Sequence, residues 1–322
     1  MKYPTLRLSI LGLIIAAAPL GQAVAQYPER QVTFVVPFAA GSATDQIGRA
    51  IGQGITEATG QTVIIENRPG ASAMIGAQAV ARAKNDGYTI LITTNTTHAA
   101  NEHLYKQLSY DPVKDFAPIS LLGKGGQIMV VNPQSPAKTV QEFIEEARKA
   151  PGKLSFGSGS SSSRIAGELF QQMTGVELLH VPYKSNPLAV TDLLGGQISM
   201  MITDAATGLP QVKGGKLRAL GVTGTERSPL APDVPTIAEA GVPGYEMGYW
   251  FAAYAPAGTD PEIVLRMNAL IAEAIKSKPA QQFYTQTGTT PQASSPQELA
   301  SFQTEESAKW GKIIQSAGIQ PE

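Results

Sequence analysis

Val32-Thr-Phe-Val-Val-Pro-Phe-Ala-Ala-Gly-Ser-Ala-Thr-Asp-Gln-Ile47 decides how the rest of the chain is read. Val32 to Val36 is a β-branched and aromatic run broken only by Thr33, which predicts a buried strand. Pro37 to Gly41 is a small-residue turn. A helix is expected from near Ser42, because Ile47, Ile51 and Ile55 recur at one-turn spacing on one face. Gly60 stands where a C-cap glycine would end it. A strand feeding a helix through such a turn leaves the first helical N–H groups unpaired, and that end favours negative charge. A phosphate loop would need G-x-x-x-x-G-K-[ST], and a dinucleotide loop G-x-G-x-x-G; this turn is neither. The stretch is therefore expected to form one wall of a carboxylate site.

Met1 to Ala25 carries Lys2 and Arg7, an apolar run from Leu8 to Leu20, and then Ala23-Val24-Ala25. That order is a secretory signal peptide, with cleavage expected after Ala25 and export of the mature chain. The apolar run is short for a membrane span of roughly 20 residues. The mature chain would hold 297 residues, with 23 bases against 26 acids and a net charge of −3. This balance offers no basic field for nucleic acid and no polybasic patch for a membrane. With no cysteine in the sequence, thiol catalysis, disulfides and thiolate metal sites are excluded. An exported chain without disulfides needs a large core, and this length suggests two domains.

Apolar β-branched runs alternate with helical stretches of about ten residues, the pattern of an α/β fold with parallel strands. After the opening unit come strands at Thr62–Glu66 and from Tyr88, with a helix from about Ser72 to Lys84 between them. The third strand runs into the polar loop Thr94-Asn-Thr-Thr-His98 at a carboxyl end, where ligands sit in open α/β sheets. Phe116–Leu122 and Gln127–Val131 read as two strands, with Gly123-Lys-Gly-Gly126 turning the chain into a second domain. A fresh series follows: helix from the Thr139-x-x-Glu142 capping box, strand, serine loop, helix to Gly175, and further strands at Leu178–Val181, Ile198–Ile202 and Leu217–Val222. Tyr245–Ala255 is an aromatic strand returning to the first domain, and the end is helical from Asp260-Pro261 and Ser295-Pro296-x-Glu298. Domain I is expected at residues 26–124 plus 249–322 and domain II at 125–248, with hinges near Gly123–Gly126 and Gly244–Gly248.

Phe156-Gly-Ser-Gly-Ser-Ser-Ser-Ser-Arg164 repeats the logic of the opening stretch. Five hydroxyls (Ser158, Ser160, Ser161, Ser162, Ser163) join the free N–H groups of a helix start. Read blandly, the run is a flexible linker with one serine as cap. Its place between an apolar strand and a well-patterned helix favours a ligand loop instead. Two such loops, one per domain, could pinch an anion between opposing helix ends. Each end contributes about 0.3–1 kcal/mol and each charge-assisted hydrogen bond roughly 1.5–3 kcal/mol. Several together reach micromolar affinity, about −8 kcal/mol, with no arginine clamp.

The runs VPFAAGSATD (36–45), ENRPGASAMIGA (66–77), NDGYTILITTNTTHAANEHLY (85–105), YDPVKDFAPISLL (110–122), HVPYK (180–184), DLLGGQ (192–197), GKLRALGVTG (215–224) and PTIAEAGVPGYE (235–246) resemble the Bug family. These are the periplasmic solute receptors of tripartite tricarboxylate transporters, and the resemblance covers essentially the whole mature chain. It implies a Venus-flytrap fold of the type 2 periplasmic-binding-protein kind: two α/β domains, a two-crossing hinge and a ligand cleft between them. It implies a small carboxylate ligand (a di- or tricarboxylate, an acidic amino acid or an aromatic acid), two membrane subunits of the transporter as partners, no cofactor and a monomeric receptor. On matching positions it points to Phe38, Ala39 and Thr44, to Asn95, Thr97 and His98, to Ser158 and the serines through Ser163, and to Thr203 and Asp204. Three departures fall on the second domain's wall. The serine loop is short and lacks a glycine-asparagine-glycine form; Arg164 stands where histidine is frequent; Thr203-Asp204 replaces an aspartate-asparagine pair.

The remaining polar candidates have plainer readings. His98, His103 and His180 show no metal-ligand spacing, and no metal site is expected. His98 reads as a hydrogen-bonding loop residue and His180 as a strand residue. Asp45 suits the first turn of a helix. Asp204 is either a helix N-cap or a partner for a ligand amine. Arg164 either supplies a counter-charge or points into solvent. Tyr249, Trp250 and Phe251 read as core, one of them possible lining of the cleft. Three functions stay open: a transport receptor without chemistry, a soluble carboxylate sensor feeding a signalling partner, and an exported hydrolase. The last lacks a G-x-S-x-G elbow and an evident acid–histidine pair.

Overall fold

The computed structural model describes residues 27–322, so the expected signal peptide lies outside the described residues. The first series runs β1 (Val32–Val36), α1 (Ala43–Thr59), β2 (Val63–Asn67), α2 (Met74–Ala81) and β3 (Thr89–Thr94). A π-helical turn (Thr96–Ala100) then leads into the short α3 (Asn101–Leu104) and the long β4 (Phe116–Val131). The second series runs α4 (Val140–Lys149), β5 (Ser155–Ser158), α5 (Ser161–Thr174), β6 (Leu179–Pro182), α6 (Asn186–Leu194), β7 (Met200–Asp204), α7 (Ala205–Lys213) and β8 (Arg218–Val222). The chain returns through β9 (Gly248–Pro256) and closes with α8 (Pro261–Ala274), α9 (Lys278–Thr287), β10 (Thr290–Pro291) and α10 (Pro296–Ser316).

Strand order is β2-β1-β3-β9-β4-β7-β5-β6, with β8 and β10 also paired to β4. β1 pairs in parallel with β2 and β3, and β5 in parallel with β6 and β7. The antiparallel strands β4 and β9 join these two parallel sets, and each set carries its own helices. Two α/β lobes result, sharing β4 between them. The opening stretch behaves as its pattern requires: Ile47, Ile51 and Ile55 are fully buried under β1 and β3, each burial stabilising by about 1.5–3 kcal/mol. Ser42 caps α1, and Gly60 ends it at φ 73° in the left-handed region.

Two expectations fail. The segments Phe116–Leu122 and Gln127–Val131 are one continuous strand of 16 residues, not two strands about a turn. The glycines between them serve close approach. A Cβ on Gly125 would lie 2.4 Å from the Tyr249 hydroxyl, and one on Gly123 2.9 Å from the Thr290 carbonyl. The chain crosses between lobes straight, with Gly126 opposite Gly248 and Lys124 opposite Trp250 in the ladder to β9. The second failure is α2, which starts at Met74 rather than Ser72 and stops at Ala81. Ala71, Ser72 and Ala73 take φ of 46°, 49° and 69°, three successive left-handed residues that a helix excludes. The turn lets Gly76 pass against Pro37, where a Cβ would lie 2.7 Å from the Pro37 Cα. Such conformations cost of order 1–3 kcal/mol each and persist only where surrounding contacts over-determine them.

Candidate cleft between the lobes

The first wall is the turn before α1. Ser42 Oγ accepts from the Asp45 amide at 3.2 Å, and Asp45 accepts from the Gly41 amide at 2.9 Å. Asn67 Nδ2 ties the turn together, donating to Asp45 at 3.0 Å and to the Phe38 carbonyl at 3.1 Å. Arg49 pairs with Asp45 at 3.0 Å. Burial alone would raise the Asp45 pKa, but the Arg49 guanidinium, the Gly41 amide and the Asn67 amide together hold it below the usual range. Asp45 is thus spent on the turn itself. No acceptor among the described residues takes the amides of Ala43 and Thr44, and both residues line the space between the lobes.

The second wall is the serine loop before α5. Ser160 caps the helix, accepting from the Ser163 amide at 3.2 Å. Ser163 turns inward and is fully buried, taking the Gly159 amide at 3.2 Å and donating to Asn186 Oδ1 at 3.0 Å. Asn186 Oδ1 also accepts from the Gly159 amide at 3.0 Å, while its Nδ2 donates to Asp204 at 2.7 Å. Asp204 in turn caps α7 by accepting from the Thr207 amide at 2.8 Å, the plainer of its two readings. One asparagine therefore locks the starts of α5, α6 and α7 into a single unit. Ser161 reaches the other lobe, donating to Asn101 Oδ1 at 2.8 Å.

Between these walls lies an inner cavity lined by Phe38, Thr44, Gln127, Ser160, Ser162 and Asp204, with Tyr249 and Phe251 among the residues behind. The starts of α1 and α5 do share this space, but the lobes are closed down to about 30 Å³ rather than parted by a broad solvent gap. That is the room of about two waters or one acid group. An outer chamber of about 340 Å³ adjoins it across Gly159 and Ser160. Ser158, Ser161, Arg164, His180, Lys184 and Glu322 are among its walls, facing the strained Ala71–Ala73 turn. Most small-molecule sites fall at about 300–1,000 Å³, so the outer chamber supplies the volume and the inner cavity the anion end.

Not every expected residue faces this space. Ala39 is half-buried and lines neither cavity. Asn95, Thr97 and Thr203 are wholly buried and line neither; the Asn95 side chain and the Thr203 hydroxyl have no hydrogen-bond partner among the described residues. His98 is corrected from a loop residue to a core one. Its ring is 0 % exposed, stacked on Tyr254 at 3.9 Å and edge-on to Phe116 at 4.7 Å, with Thr97 Oγ1 on Nδ1 at 2.8 Å. The π-helical turn carries it inward, which the polar sequence Thr94-Asn-Thr-Thr conceals. Sequence reasoning also missed Gly159, Asn186 and Gln127. For Asn186 there was a signal: Ser185-Asn186-Pro187 is a helix start of its own.

Burial pushes the His98 pKa down to about 3. The folded protein refuses a proton that the unfolded chain accepts below about pH 6.5, so stability rises with pH through that window and falls as pH drops. Between pH 6.5 and 5, above the range where carboxylates titrate, His98 alone should cost the folded state about 1–2 kcal/mol. Urea midpoints across this range measure it. His98→Phe, which keeps a ring on Tyr254, should remove about half of the slope, the other half belonging to His180, whose pKa is pushed down to about 4. An unchanged profile would show that His98 is not a group refusing the proton.

His180 also stays neutral at pH 7, its pKa pushed down to about 4 by burial and by the nearby Arg164. Its Nε2 lies 2.7 Å from Ser158 Oγ. This is a serine–histidine contact that sequence spacing did not reveal, but no carboxylate among the described residues hydrogen-bonds the other ring nitrogen.

Two α/β lobes, a paired two-strand crossing and an anion-favouring cleft between facing helix starts define a Venus-flytrap binding protein of the periplasmic kind. The chain belongs to the tripartite tricarboxylate transporter family of receptors, whose sequence pattern it matches over residues 47–319. It is similar to protein BugT of Bordetella pertussis, at 33% identity over 316 residues, 97% of each chain. Among solved structures it resembles an R. palustris protein with adipate, at TM-score 0.89 and 38% identity over 92% of this chain and 100% of that one. It also resembles MatC of Rhodopseudomonas palustris with bound malate, at TM-score 0.85 and 32% identity over 89% and 100%.

Proposed function

We propose that this protein is an exported solute receptor that captures a small carboxylate by closing its lobes and hands it to the two membrane subunits of a tripartite transporter, without chemistry. The lobes are taken as residues 26–124 plus 249–322 and residues 125–248. The observation that carries the reading is the inner cavity, where the free helix starts of α1 and α5 come together. Phe38, Thr44, Ser160 and Ser162 are placed to hold one acid group there, and Ser158 and Ser161 to receive the rest of the ligand. Two relatives of the fold carry diacids, adipate in one and malate in the other, which agrees with a carboxylate cargo.

Ligand binding only to the folded state raises the melting temperature by mass action, by about 2.7 kcal/mol of stability at a hundred times Kd. A panel of mono-, di- and tricarboxylates should therefore contain at least one that shifts melting. A panel that shifts nothing would remove the carboxylate reading. A sensor role is separated from transport by whether the loaded protein drives uptake through a membrane permease. The Ser158–His180 contact gives the hydrolase reading its one support. Ester turnover abolished by Ser158→Ala would favour it, whereas a receptor shows none.

A further inference from the structure

We propose that Glu322 is a tethered competitor for the ligand: its carboxylate occupies Arg164 in the outer chamber and must be displaced by the second acid group of an incoming diacid. The proposal rests on the carboxylate-receptor reading above and adds to it the residue that decides between diacids and monoacids.

Arg164 and Lys184 both stand on the chamber wall, together with the side-chain carboxylate of Glu322. Arg164 projects from the first turn of α5, on the wall that also carries Ser158, Ser160 and Ser161. The chamber therefore continues directly from the inner cavity, and a ligand with one acid group at the helix starts would point its far end at Arg164.

Glu322 comes from the opposite lobe. Its amide donates to the Leu104 carbonyl at 2.9 Å and its carbonyl accepts from the Lys106 amide at 2.8 Å, which pins the segment beside α3. From there its side chain meets Arg164 Nη2 at 2.7 Å. The pair is made at Nη2, whereas an arginine fork can hold a carboxylate through two parallel bonds that include Nε. Arg164 Nε is buried with no acceptor among the described residues, so the fork is only partly used. Glu322 is itself 59% exposed against 16% for Arg164, so the carboxylate can swing into water while the guanidinium stays at the wall. A half-used, shielded guanidinium held by an exposed carboxylate is a pair built to exchange partners. A monoacid leaves Glu322 in place; a diacid replaces it.

The test compares wild type with Glu322→Gln by calorimetry. The probes are succinate, glutarate and adipate, each beside the monoacid of the same chain length (butyrate, pentanoate, hexanoate). Removing an exposed ion-pair partner should tighten the best diacid by about fivefold and change its monoacid by less than about twofold. Arg164→Gln should erase the diacid's advantage over the monoacid. Melting temperatures of both variants check that the fold is intact. An unchanged diacid Kd in Glu322→Gln, or an equal change for diacid and monoacid, would overturn the proposal. Weakening of both acids would make Glu322 a latch between the lobes and would equally overturn it. If wild type binds none of the acids, the receptor reading itself fails; if wild type binds and the variant matches it, only the competitor does.

Discussion

Gly159→Ala is expected to cost about 4 kcal/mol or more, or to leave no folded protein at all. The glycine φ is not what forbids a side chain here. A Cβ on Gly159 would lie 1.9 Å from the Ser185 carbonyl carbon and 2.1 Å from the Asn186 amide nitrogen. Both are backbone atoms, so no rotamer change relieves the clash, and the start of α6 would have to retreat from the serine loop. That retreat breaks the bonds that the Gly159 amide and the Ser163 hydroxyl make to Asn186. It would also spread the ridge between the inner cavity and the outer chamber, so any folded fraction should bind carboxylates poorly. The urea midpoint and the melting temperature check the first part. A loss below about 1 kcal/mol would mean that the loop and α6 are not in contact as described.

The second large effect is expected at Asn186. Its side chain satisfies the Gly159 amide, the Ser163 hydroxyl and the Asp204 carboxylate at once. Asn186→Ala removes three hydrogen bonds, each worth about 0.5–1.5 kcal/mol and more for the one to the Asp204 carboxylate, so a loss of about 3 kcal/mol is expected. Carboxylate affinity should fall by about tenfold or more, since the starts of α5 and α7 lose their common anchor. Asn186→Asp keeps an acceptor for Gly159 and Ser163 but sets a second carboxylate against Asp204. It should not rescue stability at pH 7. A fully stable Asn186→Asp would show that the bond to Asp204 does not hold the unit together.

The contrast between Ser42 and Asn186 shows what the sequence made legible. Ser42, Gly60, Thr139, Gly175, Asp260 and Ser295 all take the capping positions that their local patterns predict. A cap is decided within four or five residues, so neighbours in sequence suffice to read it. The alternation of strands and helices follows for the same reason. Asn186 draws on partners 18 to 27 residues away, and no local pattern announces that. The continuity of β4 was hidden because Gly123, Gly125 and Gly126 look like a turn until Tyr249 and Thr290 are seen pressed against them. His98 was misplaced because a π-helical turn rotates a polar run into the core, where stacking on Tyr254 and Phe116 outweighs its polarity. Five serines in one run look alike in local pattern, and only the folded loop separates Ser163, which builds it, from Ser160 and Ser162, which face the inner cavity.

The cleft has no arginine or lysine at its inner end; its attraction for an acid rests on the free amides of two helix starts and on hydroxyls. Such a site must distinguish a carboxylate from a neutral group of the same size. The direct measurement is calorimetric titration of the wild-type protein with the diacid that shifts melting most, beside the uncharged diol of the same chain length. The diacid should bind with micromolar Kd and the diol at least about a hundredfold more weakly, a difference of about 2.7 kcal/mol. Equal affinities, or binding of the diol alone, would contradict an anion trap between α1 and α5.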